Sequence, residues 1–208
     1  MRLLAAALLA VLAASTAHAS DLQVVVRNAR GAPVADVVVT VSPAAGGATP
    51  ARYDQPLAMT QKRQQFSPFI LVAPRGAEIS FPNEDPLKHQ VYSFSPTKNF
   101  ELKLYGRDQT RTVRFDRPGV VALGCNIHDT MVAYIDVVDA PFAARTDAAG
   151  RIAFHGVPAG AAQVRAWHPY MRAPGSAQAA TVTVPAAGAA SAVFTAELRT
   201  PAMRMSSY

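Results

Sequence analysis

Three side chains that bind soft metal ions lie at intervals of three in the segment LGCNIHDTMVAYI, residues 123–135. Cys125, His128 and Met131 offer a thiol, an imidazole and a thioether. Sulfur ligands favour copper, and a blue-copper centre combines two histidines and one cysteine with a weak axial methionine. The segment therefore predicts three of the four ligands of a copper site. Cys125 is the only cysteine of the chain, so it cannot form an internal disulfide.

A second histidine has to come from another part of the chain. Beyond the N-terminal leader, the candidates are His89, His155 and His168. In FPNEDPLKHQVYSFS, His89 follows a turn and begins a predicted strand, and enough chain separates it from Cys125 for hairpins to return it to the same end of a sandwich. We therefore predict His89 as the fourth ligand. The other two histidines have no ligand-like neighbours and are predicted to be structural.

These motifs resemble those of the cupredoxins, the blue-copper protein superfamily. FPNEDPLKH is similar to the cupredoxin strand that ends in Asn before the first His ligand, and VRFDRPGVVALGC is similar to the strand that leads to the Cys ligand. The Cys-x-x-His-x-x-Met loop is most similar to that of the amicyanins. Plastocyanin-like exported proteins often described as methylamine-utilisation proteins look similar as well. The resemblance covers roughly residues 59–138.

The resemblance implies a Greek-key β-sandwich that binds one type 1 copper ion per chain. The ligands that it implies are His89 Nδ1, Cys125 Sγ, His128 Nδ1 and, in the axial position, Met131 Sδ. Cys125 would bind as the thiolate, since a bound cation stabilises the deprotonated form.

The sequence departs from the usual cupredoxin pattern beside the predicted ligands. Many cupredoxins place Asn directly after the first His, where its side chain braces the ligand loop, whereas this chain has Gln90. We expect Asn83 to take over part of this bracing. Asp129 adds a charge at an edge that is apolar in many cupredoxins. Such changes tune a metal site rather than abolish it, and they predict a partner different from that of the amicyanins.

The elements that must position these ligands are β-strands. Short runs rich in Val, Ile, Phe and Tyr alternate with Gly, Pro, Asn and Asp along most of the chain, without a convincing amphipathic helix between them. This pattern predicts an all-β protein made of antiparallel sandwiches.

A second β-sandwich module is predicted around the copper unit. TDAAGRIAFHGVPAG, within residues 139–208, resembles the second half of a carboxypeptidase-regulatory-like domain. LQVVVRNARGAPVADVVVTVS, within residues 20–58, resembles its first half. We expect the cupredoxin unit, residues 59–138, to be inserted into this split module. The hypothesis predicts that strands from residues 22–42 pair with strands from residues 150–185 in one sheet.

The N-terminal residues predict export. Residues 1–19 combine one arginine, an apolar run and the small-x-small pattern Ala17-His18-Ala19, which is typical of a signal peptide and its cleavage site. A periplasmic location follows as the expectation. No later stretch is long and apolar enough to predict a membrane span.

The formal net charge of the full chain is +6, and no nucleic-acid-binding motif accompanies it. Four arginines lie close together in RDQTRTVRFDR: Arg107, Arg111, Arg114 and Arg117. They form either a docking face for an acidic partner or, more commonly for such a run, a solvated strand edge.

The predicted function is that of an exported type 1 copper protein that carries one electron to or from a protein redox partner. The alternatives are a periplasmic copper-delivery protein and a non-catalytic interaction module. The complete set of two His, one Cys and one Met favours the first, because copper carriers more often use Met-rich or His-rich tracts. No nucleophile–base arrangement or phosphate-binding loop indicates an enzyme.

Overall fold

The computed structural model describes residues 19–46 and 56–200. The predicted leader, apart from Ala19, lies outside these residues. Within them, no helix has the length and apolar character needed to cross a membrane. The strands are β1 (Ala19–Arg27), β2 (Val38–Pro43), β3 (Thr60–Lys62), β4 (Gln65–Ser67), β5 (Ile70–Pro74), β6 (Ala77–Pro82), β7 (His89–Ser95), β8 (Lys98–Tyr105), β9 (Thr110–Phe115), β10 (Gly119–Gly124), β11 (Val132–Val138), β12 (Phe142–Arg145), β13 (Arg151–Pro158), β14 (Gly160–Trp167), β15 (Ala177–Val184) and β16 (Ala189–Thr195).

The first and last strands of the chain form one sandwich, which we call the split module. One sheet has the order β13-β1-β16, and the facing sheet has the order β12-β2-β14-β15. Alternate residues of β1, namely Leu22, Val24 and Val26, are buried in the core between the sheets, as the two-residue period of a strand requires. Strands β1 and β2 thus pair with strands from the far end of the sequence, as the insertion hypothesis predicts. They lie in two facing sheets, however, so the expectation of one sheet was wrong.

The two half-motifs of the split module contact each other directly. The backbone N–H of Val37 donates to the Thr146 hydroxyl, which in turn donates to the Val34 carbonyl. Gly150 has a φ of +68°, and a Cβ at this position would lie 2.3 Å from the Val26 carbonyl oxygen. The glycine of TDAAG is therefore needed both for its left-handed backbone and for the close approach of β1. The assignment of the module to the regulatory-like family, and the domain boundaries, stay predictions.

Strands β3 to β11 form the central sandwich, which carries the predicted ligands. Its main sheet has the order β5-β11-β10-β7-β8, with the pairs β6-β9 and β3-β4 beside it. Large buried side chains fill its core, among them Phe81, Phe115 and Ile135. Apart from one 3-10 turn, Pro174–Ser176, all the regular elements of the described residues are strands, so the all-β prediction is confirmed.

A third apolar cluster joins the two sandwiches. It consists of Val38, Ile70, Val72, Val138, Ala143 and Trp167, and all six are buried. Strands β5 and β11 of the central sandwich therefore have their outer faces covered by the split module. The buried Asp136 carboxylate of β11 pairs with Arg165 of β14 at 3.2 Å in the same interface.

Candidate metal centre

Two neighbouring strand ends bring the predicted ligands together. His89 is the first residue of β7, and Cys125 directly follows the last residue of β10. These strands pair antiparallel through Gly124 and Tyr92, so the start of one lies beside the end of the other. The loop from residue 125 to residue 131 then turns over this end of the sheet before β11 begins. Three predicted ligands lie in this loop and the fourth lies on the adjacent strand.

Three ligand atoms converge on one point. Cys125 Sγ lies 4.0 Å from His89 Nδ1 and 3.9 Å from His128 Nδ1, and the three residues offer ligand atoms that all lie within 4.8 Å of one another. Metal bonds of about 2.0 Å to nitrogen and about 2.3 Å to sulfur place such atoms about 3.7 Å apart around a trigonal ion. The spacing therefore fits a transition-metal ion, and a thiolate with two imidazoles is a donor set that suits copper. Ligation by these residues stays a prediction.

Met131 ends the loop that carries Cys125 and His128. Its backbone N–H donates to the His128 carbonyl at 2.9 Å, which closes a tight turn. The side chain is 1% exposed and belongs to the same core cluster as Cys125. The axial role of its thioether stays a prediction.

A buried carboxylate fixes the orientation of His89. Asp85 Oδ2 lies 2.7 Å from His89 Nε2, and both side chains are buried. A carboxylate can only accept, so the Nε2–H donates to it and the Nδ1 lone pair faces Cys125. The His89 tautomer is therefore the one that can bind a metal ion through Nδ1.

Two backbone groups hold Asp85 in turn. The N–H groups of Arg63 and Gln64, in the turn between β3 and β4, donate to its two carboxylate oxygens. Burial raises the pKa of Asp85, but the hydrogen bonds from Gln64, His89 and Arg63 outweigh it, so the pKa lies below its ordinary value. The carboxylate is thus kept ionised where it contacts His89.

The bracing of the ligand loop differs from the expectation. Gln90 Oε1 accepts a hydrogen bond from Asn126 Nδ2 at 2.9 Å, so Gln90 itself contacts the residue after Cys125. The Asn83 side chain instead donates to the carbonyls of Leu87 and Tyr105. The longer Gln side chain reaches across to the loop, whereas Asn83 stabilises the turn that precedes His89.

One edge of the cluster faces the surface. His89 is fully buried, whereas His128 is half-buried, and the neighbouring Ile127 and Leu87 are 47% and 44% exposed. Asp129 is exposed in the same loop. The predicted site therefore combines a buried interior with one histidine edge near solvent.

The four arginines of RDQTRTVRFDR do not form one face. Arg107 and Arg111 lie near the ligand end, where the Arg111 guanidinium stacks 5.1 Å from the ring centre of Tyr105, the strand partner of His89. Arg114 pairs with Asp116, and Arg117 lies in the turn at the opposite end of β9. Only half of the stretch borders the site.

The other predicted histidines lie in the split module. His155 contacts Asp21 at 3.0 Å on the surface. His168 is buried beside Phe69 and Tyr170, and burial lowers its pKa. Within the described residues, neither belongs to the group with metal-ligand spacing.

Sequence reasoning missed Asp85 and the β3–β4 turn. The available signal was the spacing of an acidic residue four positions before His89 in the NEDPLKH segment. The turn gave no signal, because Arg and Gln are not typical of tight hairpin turns.

Comparisons with known proteins return copper proteins. No protein-family model and no curated protein matches the chain. Among solved structures it resembles a copper-containing nitrite reductase from Thermus scotoductus SA-01, with 25% identity and a TM-score of 0.38 over 47% of this chain and 25% of that one. It also resembles a purple cupredoxin from Nitrosopumilus maritimus, with 19% identity and a TM-score of 0.36 over 39% and 98%.

A third similar structure is the reduced Cu(I) form of an amicyanin variant. The identity is 13% and the TM-score 0.38, and the match covers 48% of this chain and 99% of that one. The chain thus spans a quarter of the nitrite reductase and nearly the full length of the two small proteins. Of these three structures, the small protein from Nitrosopumilus maritimus is itself named a cupredoxin.

Proposed function

We propose that the chain is a type 1 copper protein that carries single electrons between protein partners in the periplasm. The observation that carries the proposal is the convergence of His89 Nδ1, Cys125 Sγ and His128 Nδ1 within 4.8 Å at a buried strand end. His89, Cys125 and His128 would hold the ion, with Met131 as a weak axial donor. A bound copper ion would supply one-electron redox chemistry.

The protein contributes a rigid frame. The paired strands β7 and β10 position His89 and Cys125, and the tight turn at Met131 fixes the loop that carries His128. Such a frame holds the ligands in one arrangement for both oxidation states, so little reorganisation accompanies electron transfer. The half-buried His128 brings the site close to the surface, where a partner can approach. No catalytic role is proposed.

Titration of the purified protein with Cu(II) tests the proposal. We expect one copper ion per chain and an intense visible thiolate-to-Cu(II) charge-transfer band. Cys125→Ser should abolish the band, whereas the matched His155→Ala variant should keep it. Binding of one copper ion per chain without the band would contradict a type 1 site. It would support the alternative function of a copper-delivery protein.

A further inference from the structure

The turn between β3 and β4 has an unusual backbone for its sequence. Arg63 and Gln64 both have a φ of 55°, which is the left-handed region. Two-residue hairpin turns of this kind usually contain Asn and Gly. A side chain with a Cβ is sterically disfavoured in this region. Such a backbone persists only where the surrounding structure stabilises it.

The surrounding structure in this case is the Asp85 carboxylate. The left-handed turn directs two successive N–H groups toward Asp85, and their distances to its oxygens are 2.5 Å from Arg63 and 2.8 Å from Gln64. Consecutive backbone N–H groups in a turn form a concave site for an anion. The hairpin thus supplies two backbone donors to a buried carboxylate.

The same carboxylate has one further contact, which is His89. Asp85 is 5% exposed and His89 is fully buried, so water does not compete strongly for the hydrogen bond between them. The Asn83 side chain accepts from the Asp85 N–H and fixes its backbone as well. Every polar contact described for Asp85 therefore directs its carboxylate at His89 Nε2.

We propose that Asp85 is a positioning residue for His89 and, together with the β3–β4 hairpin, sets the reduction potential of the site. The effect on the reduction potential rests on the proposed function, whereas the positioning of His89 does not. A carboxylate on the distal nitrogen fixes the ring and strengthens the imidazole as a donor. The harder Cu(II) ion gains more from a stronger nitrogen donor than Cu(I) does. Asp85 therefore lowers the potential relative to a neutral partner.

The first test needs no metal. In the ¹⁵N-labelled apoprotein at pH 8, two-bond ¹H–¹⁵N spectra report which ring nitrogen of each histidine carries the proton. We expect His89 to be protonated at Nε2, the nitrogen that faces Asp85. A His89 protonated at Nδ1 would overturn the proposal, whether or not copper binds.

The second test is voltammetry of the copper-loaded Asp85→Asn variant. Changes of groups that contact a metal ligand typically alter affinity about 10-fold or more. A 10-fold loss confined to Cu(II) corresponds to a rise of about 59 mV for one electron. Glu84→Gln is the matched control, because it removes the same charge from the exposed neighbouring side chain, and it should leave the potential nearly unchanged.

The outcomes separate this inference from the proposed function. Equal potentials for wild type and Asp85→Asn, with His89 intact, would overturn the role of Asp85. Absence of the blue band in the wild type would instead contradict the proposed function, while the tautomer measurement would still decide the position of His89. If Asp85→Asn does not fold, the substitution is made in the variant Arg63→Asn/Gln64→Gly. The turn of that variant tolerates a left-handed backbone without help from Asp85, so its reduction potential with and without Asp85→Asn gives the same comparison.

Discussion

Met131 is the predicted ligand whose contribution is most readily tested by substitution. Its thioether would act as a weak, neutral axial donor, which favours Cu(I) because Cu(II) loses more when a better donor is absent. Gln offers a harder oxygen and should lower the reduction potential, whereas Leu offers no donor and should raise it. We expect voltammetry to give the highest reduction potential for Met131→Leu, a lower one for the wild type and the lowest for Met131→Gln. All three proteins should keep the blue band. Equal potentials would show that Met131 serves only as a core residue.

At the scale of single residues, side-chain chemistry and spacing predicted most of the candidate site. Cys125, His128 and Met131 lie within seven residues of one another, and a strand-and-turn pattern was enough to select His89. Asp85 was missed because its role depends on a turn 21 residues away in sequence. The contact between Gln90 and Asn126 was missed because it depends on how far a side chain reaches between strands.

At the scale of elements, the β3–β4 hairpin gives a stability prediction. Replacing Arg63 with Asn and Gln64 with Gly installs residues that tolerate a left-handed backbone. Both N–H groups remain, so the Asp85 carboxylate keeps its donors. We expect the free energy of unfolding to rise by about 1 kcal/mol and the reduction potential to stay the same. A changed potential would show that the two side chains, rather than the backbone, influence the site.

The pairing of elements was predictable where a turn motif fixes it. GAPV and TDAAG indicated two halves of one module, and the contacts between Val34, Thr146 and Gly150 explain why these motifs occur together. The distribution of the strands between two facing sheets was not predictable, because both sheets have the same alternating apolar pattern. Where the pattern is the same, only the three-dimensional packing decides which sheet a strand joins.

At the scale of the whole molecule, charge near the ligand end should affect electron exchange. Lys88 is exposed beside Leu87 and His89, and its side chain lies near Gly106 in the turn that carries Arg107. Arg117 lies about 20 Å away, at the far end of the six-residue strand β9. Both are cations without a described ion pair.

Small redox probes of opposite charge test this difference. For the reduced, copper-loaded protein, Lys88→Glu should slow oxidation by anionic hexacyanoferrate(III) and accelerate oxidation by cationic tris(1,10-phenanthroline)cobalt(III) several-fold at low ionic strength, because local charge steers association. Arg117→Glu changes the net charge equally and should have a smaller effect in stopped-flow measurements. Similar effects for both variants would mean that electron exchange senses only the net charge of the protein.

The interface between the two sandwiches contains a charge that burial disfavours. Burial raises the pKa of Asp136, and Arg165 of the split module only partly counteracts this effect. The carboxyl therefore binds its proton more tightly in the folded protein than in the unfolded chain. Its contribution to stability is most favourable below the unfolded pKa of 3.8 and is lost as the pH rises through the folded pKa.

Arg165→Met should therefore destabilise the protein in a pH-dependent way. At pH 7 the variant leaves the Asp136 carboxylate buried without its partner, and we expect a loss of about 2 kcal/mol. As the pH falls, Asp136 becomes neutral and the loss should shrink, which urea unfolding at several pH values would measure. Arg145→Met is the matched control, because its partner Asp36 is half exposed and a surface pair contributes under about 1 kcal/mol. If Arg165→Met lowers the free energy of unfolding by the same amount at every pH, the charge of Arg165 is not what stabilises the protein. Its role would then be the packing of its aliphatic stem against the central sandwich.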